Sequence, residues 1–335
     1  MADKRTGRAS TFERLTPTLA TFRLRPQDGF PFPDYKAGQY MALSREDCKL
    51  TRRVVGADGK AHYEPDLDDT GAPRRGTVTH SYSIASAPWE TRELGHLEFY
   101  IVLEVGEHQY PGRLTESFFR VNPPDDDRVG YVDRIAGDFT IDKRAAGARN
   151  VVMVGTGTGL APFVAMAKEL DHQARSGRTD GVRYTLFHAN RTADELAYHR
   201  ELLAIEDAAR FDFVYVATVS RPSGDADPRI GTGRGNNVLR HVLGMPSKEA
   251  DDLRAAEAAG GEAAAAAQRV VERAAPAALP ARVDARALRD RMDPAQTVIL
   301  TCGNPSSMSD IKHVADANGI RFEKEDWKLV LPARA

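Results

Sequence analysis

The sequence is poor in cysteine and has no long apolar run free of turn-forming residues. Its two cysteines, Cys48 and Cys302, are too few for an iron–sulfur cluster or a cysteine-rich zinc site. Nothing favours a disulfide between them, so a reducing compartment is expected. The uncharged stretch 151–167 contains three glycines, two threonines and a proline, which argues against a membrane span.

A strong charge of either sign is also missing. A net charge of −2 over 335 residues argues against nucleic-acid binding driven by bulk charge. The basic start, residues 1–15, lacks an apolar segment and carries Asp3 and Glu13, so we interpret it as a cytosolic tail and expect a cytoplasmic protein with no membrane insertion. G-x-S-x-G and H-E-x-x-H motifs are absent and the nine histidines show no metal spacing, which disfavours hydrolases and metalloenzymes.

Short alternating or β-branched segments dominate the first domain, predicted over residues 10–145. ATFRLRP, GQYMALS, THSYSIAS, HLEFYIVLEV and RVGYVDRI all read as strands, and helical patterns are scarce. An antiparallel barrel or sandwich is the natural prediction. Residues 45–78, rich in charge, glycine and proline, are predicted to be a surface insertion that forms a hairpin.

The pattern changes after a boundary at residues 142–149, and a second domain is predicted over 146–335. NVVMV, VRYTLFHA, FDFVYVATV and TVILTCG are near-continuous apolar runs that alternate with helix-like stretches, which predicts a Rossmann-like parallel sheet with helices on both faces. Ser306 or Ser307 is expected to cap the helix that follows Cys302. The alanine-rich, charged segment 247–293 is expected to be an exposed helical insertion, or else an arm that docks a partner.

Polar and glycine-rich clusters follow the predicted parallel strands. The turn GTGTG lies between a strand and a helix but ends in Gly159-Leu160-Ala161-Pro162, without the lysine of a P-loop, so a dinucleotide is favoured over a magnesium-bound triphosphate. The carboxyl ends of parallel strands bring this turn together with residues 188–191, 220–221 and 302–305. Arg191 and Arg221 lie at strand ends, and the bend RIGTGRGNN presents Arg234. Arginine suits a phosphate dianion, although arginines can also end strands by chance.

Two segments of the first domain could touch a cofactor. Tyr82, in HSYSIAS, is either a core residue or a ring that stacks on a planar ligand, and composition alone favours the core. The PGRLTES turn offers backbone N–H groups and Thr115 to a phosphate at the start of a short helix, but taken alone such a turn is more often an ordinary capped helix.

The order of these motifs resembles that of the ferredoxin–NADP reductase family. AGQYMAL, SYSIAS, the turn Gly112-Arg113-Leu114-Thr115, GTGTGLAP, SRP and CGNP follow one another as in that family, across most of residues 12–327. The bacterial ferredoxin/flavodoxin reductases are the most similar type. The resemblance implies a flavin-binding β-barrel followed by a nucleotide-binding α/β domain.

The resemblance also implies roles for particular residues. Ser83 and Cys302 would lie at the reacting centre, Ser83 near flavin N5 and Cys302 in the nicotinamide pocket. Tyr82 would lie against the flavin ring, and Thr158 near the junction of both cofactors. The implied cofactor-binding set is His80, Ser81, Tyr82, Ser83, Arg113, Leu114, Thr115, Gly155, Thr156, Gly157, Thr158, Gly159, Asn190, Arg191, Ser220, Arg221, Arg234, Cys302, Gly303 and Trp327, with no metal.

Two positions depart from the family pattern. His80 stands where the family has an arginine, which replaces a permanent cation by a group only partly charged near neutral pH. Arg52, Arg53, Arg74 or Arg75 could substitute for the missing charge. Trp327 is a candidate to cover the flavin, but it is followed by KLVLPARA, and a packing role in the nucleotide domain is the alternative.

The function that the resemblance implies is that of a ferredoxin/flavodoxin–NADP(+) reductase. Hydride would pass between NADP(H) and FAD, and single electrons would pass to or from a separate ferredoxin or flavodoxin. Arg191, Arg221 and Arg234 favour NADPH over NADH. An NADH-dependent reductase component of an oxygenase is the nearest alternative. A non-catalytic flavin or nucleotide sensor is the alternative from another class.

Overall fold

A computed structural model describes residues 3–56, 59, 61–105, 111–224 and 227–325. The described residues divide into two compact units, one up to Gly137 and the other from Asp138. Within these ranges, no helix is long and apolar enough to cross a membrane.

The first unit is an antiparallel barrel. Six strands follow the order β6-β3-β8-β1-β2-β7, and an antiparallel bridge between Ile84, which follows β6, and Phe99 of β7 closes the sheet on itself. Closure removes the exposed edges that an open sheet would leave. Its elements are β1 (Lys4–Thr16), β2 (Leu19–Pro26), β3 (Tyr40–Lys49), β4 (Thr51–Val55), β5 (Ala61–Pro65), β6 (Arg75–Ser83), α1 (Pro88–Leu94), β7 (Leu97–Val102), α2 (Arg113–Phe118) and β8 (Arg128–Ala136).

The basic start of the chain is a strand of this barrel, so its interpretation as a tail is wrong. β1 pairs with β2 on one side and β8 on the other, and Ala9 is fully buried within it. Its two buried positions, Gly7 and Ala9, carry small residues, so the apolar alternation that marks other strands is faint in this part of the sequence. Backbone pairing with β2, the next strand, and with the distant β8 stabilises β1.

Aromatic rings fill the barrel and hold α2 in place. The ring of Phe22 lies 5.3 Å from those of both Phe99 and Phe118, measured between centroids. Arg45 of β3 is buried and donates to Ser117 of α2 at 3.0 Å and to both carboxylate oxygens of Asp126. Because a buried cation must keep its partners, this network fixes the helix against the barrel.

Part of the segment predicted as an insertion, residues 51–55 and 61–65, forms a hairpin, whereas residues 45–49 and 75–78 belong to barrel strands. β4 and β5 pair with each other in antiparallel register, from Thr51 opposite Pro65 to Val55 opposite Ala61. They form a separate two-stranded sheet, while the flanking strands β3 and β6 extend the barrel to Lys49 and from Arg75.

The second unit is a parallel α/β sheet, which confirms the predicted architecture. The strand order is β12-β11-β10-β9-β13-β14, and every neighbouring pair is parallel. The chain runs outward from β9 to β12 and then returns to the other side of β9, so the topological switch point lies between β9 and β13. Its elements are α3 (Ile141–Arg144), β9 (Asn150–Thr156), α4 (Ala161–Arg175), β10 (Arg183–Asn190), α5 (His199–Asp207), β11 (Phe213–Val219), β12 (Ile230–Thr232), α6 (Gly235–Val242), α7 (Lys248–Ala259), α8 (Glu262–Arg273), α9 (Ala285–Arg289), β13 (Thr297–Cys302), α10 (Pro305–Ala317) and β14 (Arg321–Lys324).

Two local predictions in this unit are wrong. Asn304, not Ser306 or Ser307, caps α10, because its side-chain oxygen accepts from both serine N–H groups at 3.0 and 3.2 Å. The bend at RIGTGRGNN begins as strand β12, which pairs with β11. Thr232 also exchanges two backbone hydrogen bonds with Ala278, far along the chain, a partner that local sequence does not reveal.

The alanine-rich segment forms an exposed helical insertion, as predicted. α8 contains no buried residue, and Gly260 and Gly261 separate it from α7. The base of α7 is nevertheless fixed, because Arg240 of α6 donates to Asp251 of α7 at 2.6 Å and to Asp310 of α10 at 2.6 Å.

A buried histidine, His188, and a half-buried one, His199, lie on the face of the sheet that packs against α5. His188 of β10 and His199 of α5 both place Nδ1 near the Tyr215 hydroxyl, at 2.9 and 3.1 Å. Burial, with a smaller effect from His199, lowers the pKa of His188 to about 3. The imidazole is therefore neutral in the folded protein, while the unfolded chain takes up a proton at mildly acidic pH.

We expect the unfolding free energy to fall as the pH drops below the pKa of an unfolded histidine and towards that of folded His188. His188 alone should account for a loss of about 1.2 kcal/mol between about pH 7 and about pH 5.5. Urea unfolding at the two pH values measures this difference in unfolding free energy. The His188→Gln variant should lack this part of the pH dependence, whereas replacing the exposed His241 by Gln should retain it. An unchanged pH dependence in His188→Gln would contradict the assignment.

Candidate functional site

The glycine-rich turn follows β9 and leads into α4. Gly155 and Thr156 end the strand, and residues 157–160 make a single tight helical turn before α4 begins at Ala161. Gly157 adopts a φ of 58°, and no other group lies within 4 Å of where its Cβ would be. This stretch of backbone therefore leaves room for a ligand to approach. Thr158 lies at the same turn, next to the amino end of α4, where N–H groups attract anions.

The other face of the turn packs directly on the loop after β13. A Cβ on Gly159 would lie 2.2 Å from the carbonyl oxygen of Cys302, and a Cβ on Gly303 would lie 2.2 Å from Thr156 Oγ1. The Asn304 N–H donates to Thr156 Oγ1 at 3.0 Å. The structure thus brings together the two predicted loops, GTGTG and CGNP, at the switch point of the sheet.

The thiol of Cys302 has a buried carboxylate partner. Cys302 Sγ donates to Glu325 Oε2 at 3.1 Å, and both residues are buried. Burial raises the pKa of Cys302 well above its ordinary value, and the Glu325 charge adds to this effect. The thiol therefore stays protonated and acts as a hydrogen-bond donor and a packing group, not as a nucleophile.

Sequence reasoning missed Glu325. It follows β14, whose carboxyl end lies beside that of β13, and its N–H donates to the Thr301 carbonyl. Glu325 directly follows a strand of the parallel sheet, and this position was the one sequence signal that it could lie near the site.

The three predicted arginines lie on neighbouring loops at the same edge of the sheet. The Ser220 and Arg221 N–H groups donate to the carbonyls of Asn190 and Arg191 at 3.0 and 2.8 Å, which joins the loops after β10 and β11. Gly233, next to Arg234, donates to Val219 at 2.9 Å and joins the loop after β12. All three arginine side chains are exposed.

Two of these arginines have a buried carboxylate as partner. Arg191 Nε lies 3.3 Å from Glu195, and Arg234 Nη1 lies 3.4 Å from Glu249 of α7. Asn190 uses its side-chain amide within its own loop, donating to the Glu195 carbonyl at 2.6 Å. The sequence did not indicate either glutamate.

In the barrel unit, the four predicted flavin residues occupy the end of β6. Ser81 and Ser83 alternate with His80 and Tyr82, which pair in register with Leu43 and Met41 of the barrel core. The Tyr82 ring meets Phe118 edge-on at 5.5 Å, and burial raises its pKa. Tyr82 is thus partly a core residue, and half-buried at the surface of that core.

His80 lies close enough to α2 for charges there to act on it. Burial lowers the pKa of His80, the charge of Arg113 lowers it further, and Glu104 opposes the shift. Leu114 and Thr115 are buried, and the Thr115 hydroxyl donates to the Gly112 carbonyl at 3.1 Å. The start of α2 therefore offers its first backbone N–H groups and the Arg113 side chain near a mostly neutral His80.

Three of the arginines proposed as substitutes for the missing family arginine have other partners. Arg52 lies 3.5 Å from Glu64, Arg74 donates to the Leu67 carbonyl, and Arg75 donates to the Asp47 carbonyl. Arg53 is exposed on β4. Trp327 lies outside the described residues, and those residues contain no cluster of histidine, cysteine and carboxylate side chains that could hold a metal.

Comparison with known proteins shows what the chain is similar to. Residues 153–253 match the family described as the oxidoreductase NAD-binding domain. A flavohemoprotein from Bordetella pertussis is 31% identical over 203 residues, which are 59% of this chain and 40% of that protein. A flavodoxin/ferredoxin–NADP reductase from Rhodobacter capsulatus is 30% identical over 137 residues, 41% of this chain and 43% of that protein.

The matched domain and the Rhodobacter relative support the resemblance to the ferredoxin–NADP reductase family. A crystal structure of a ferredoxin NADP+ reductase from Neisseria gonorrhoeae with bound FAD and NADP has the same fold, with a TM-score of 0.58 at 18% identity, covering 97% of this chain and 99% of that one. The chain spans about two fifths of the length of the curated relatives named above. The predicted resemblance is confirmed.

The close approach of Gly159 to Cys302 makes a strong prediction for stability. Gly159→Ala should lower the unfolding free energy by about 3 kcal/mol, because the new methyl group meets backbone that cannot move aside. The matched control is Gly177→Ala, at a positive φ with open space around it, which should cost about 1 kcal/mol. Denaturant unfolding measures both, and equal losses would contradict the packing argument.

Proposed function

We propose that the protein is a flavin-dependent oxidoreductase that transfers hydride between NADP(H) and FAD. It passes single electrons to or from a separate ferredoxin or flavodoxin. The proposal rests on one observation: the loops that carry the predicted nucleotide-binding residues lie side by side at the carboxyl edge of the parallel sheet. The three arginine loops, the glycine turn and the Cys302 loop follow one another across β12, β11, β10, β9 and β13.

The nucleotide unit has a group for each part of NADP(H). The turn at Gly157, before the amino end of α4, receives the pyrophosphate, since the space beside Gly157 leaves room for a ligand to approach the backbone. Arg191, Arg221 and Arg234 bind the 2′-phosphate through charged hydrogen bonds. The loop at Cys302 and Gly303 receives the nicotinamide, where the protonated thiol packs without competing as a nucleophile.

The barrel residues fit the flavin. Tyr82, held edge-on by Phe118, presents a half-buried ring face for the isoalloxazine, and Ser83 is positioned at the end of the same strand. Arg113 and the first N–H groups of α2 serve the flavin phosphates. The flavin, when bound, supplies the chemistry, since it accepts a hydride and releases electrons one at a time.

The proposed electron carrier is a ferredoxin or a flavodoxin. The Rhodobacter relative is named for flavodoxin and ferredoxin, which supports such a partner. An NADH-dependent reductase is the second candidate. The similarity to a flavohemoprotein extends over more of this chain, and two of the three arginines already face a carboxylate.

Replacement of Arg221 distinguishes an NADPH-dependent reductase from an NADH-dependent one. Arg221→Ala should raise the KM for NADPH roughly ten- to a hundredfold and leave that for NADH within about twofold, because only NADPH carries the 2′-phosphate. Steady-state oxidation of each nucleotide with ferricyanide as acceptor measures it. The exposed Arg229, placed before β12 and paired with Asp227, provides the control variant Arg229→Ala, which should change neither value. Equal effects on both nucleotides would favour the NADH-dependent reductase.

Restoring the family arginine at position 80 should tighten flavin binding. Because the pKa of His80 is lowered, its imidazole supplies little positive charge at about pH 8, and His80→Arg should lower the Kd for FAD at least about tenfold. FAD fluorescence quenching on binding measures it. His80→Gln, a neutral replacement, should stay within about threefold of the unmodified protein. A large loss in His80→Gln would show instead that a charged His80 holds the flavin phosphate.

A further inference from the structure

The alanine-rich insertion reaches the proposed 2′-phosphate site through one side chain. Glu249 lies in the first turn of α7, and its Oε1 is 3.4 Å from Arg234 Nη1. The Glu249 side chain is only 5% exposed, whereas that of Arg234 is 63% exposed. The carboxylate is therefore a fixed partner, and the arginine is the part of the pair that can move.

Hydrogen bonds hold Glu249 in place independently of Arg234. Asn237 of α6 donates to Glu249 Oε2 at 2.6 Å, and the same asparagine accepts from the Lys248 N–H at 2.9 Å. Arg240, itself anchored on Asp310, binds Asp251 one turn away from these contacts. Movement of Arg234 towards a ligand would leave the negative charge of Glu249 where it is.

We propose that Glu249 is a specificity-determining residue through which the insertion weakens the preference of the site for a 2′-phosphate. The inference rests on the proposed nucleotide function and concerns the same arginines. Of the three arginines, Arg191 faces the buried carboxylate of Glu195, and Arg234 faces that of Glu249. A phosphate dianion bound to Arg234 would lie near the Glu249 carboxylate, which its hydrogen bond to Asn237 holds in place.

The opposite effect, in which Glu249 preorganises Arg234 for the ligand, is the weaker one. The two side chains meet through a single guanidinium nitrogen at 3.4 Å, and a pair of this kind with an exposed partner orders the arginine little. A full charge roughly 7 Å from a dianion, even in a water-like dielectric, changes affinity about five- to tenfold. Repulsion of the phosphate therefore outweighs ordering of the arginine.

The test compares two nucleotide fragments that differ in one phosphate. The Kd values of 2′,5′-ADP and 5′-ADP are measured by isothermal titration on the full-length, FAD-loaded protein, so the readout does not depend on turnover. Glu249→Gln keeps the shape and the hydrogen bond to Asn237 but removes the charge. It should tighten 2′,5′-ADP about five- to tenfold and leave 5′-ADP within about twofold, with the gain shrinking as salt is added.

Two further variants control for charge and folding. Asp252→Asn removes an exposed carboxylate of the same helix, one that pairs with Lys248, and should leave both Kd values within about twofold. In an Arg234→Ala background, Glu249→Gln should give less than half of its effect on 2′,5′-ADP. A reduced Glu249→Gln effect in that background supports direct coupling between the two side chains.

The outcomes separate the inference from the proposed function. If the unmodified protein prefers 2′,5′-ADP but Glu249→Gln leaves that preference unchanged or weakens it, the inference is overturned and the nucleotide assignment stands. Equal tightening of both fragments also overturns it. If the unmodified protein binds neither fragment, the proposed function and the inference fail together.

Discussion

The backbone contact between the turn after β9 and the loop after β13 is the constraint on which the nucleotide unit depends. Thr156, Gly159 and Gly303 meet there with no room for an additional carbon atom. This contact joins the carboxyl ends of the two strands at the switch point of the sheet. It also fixes the position of the turn that leads into α4. The open side of the turn and the Cys302 loop then face the same edge, where a dinucleotide can span them.

Charge balance is the second organising feature of this edge. The arginines that suit a phosphate are exposed, but buried glutamates sit against two of them. A similar compromise occurs in the barrel, where a mostly neutral His80 stands in place of a permanent cation and Arg113 lies nearby. Both units thus carry less positive charge around the positions proposed to bind phosphates than their arginine content suggests. In the proposed function, selectivity and cofactor affinity would depend on these partners as well as on the arginines themselves.

The second unit and the glycine turn were predictable because both have local sequence patterns. Apolar runs alternate with amphipathic helical stretches, and the glycines directly follow one of those runs. Strand β1 was missed because its two buried positions are Gly7 and Ala9 and because one of its partners, β8, lies far along the chain. Asn304 was overlooked as a cap because the serines behind it are equally good capping residues. Glu195, Glu249 and Glu325 were missed for a different reason: a glutamate gives no sign of its partner in the sequence. Their contacts arise only when separate strand ends, or α7 and α6, come together.

The most direct test of the account is anaerobic mixing of the FAD-loaded protein with NADPH or NADH while the visible spectrum is recorded. The account predicts a yellow protein whose flavin absorbance is bleached much faster by NADPH. Equal or faster bleaching by NADH would contradict the assignment of the arginines and favour the NADH-dependent reductase. A protein that neither carries nor takes up FAD would contradict the central claim itself.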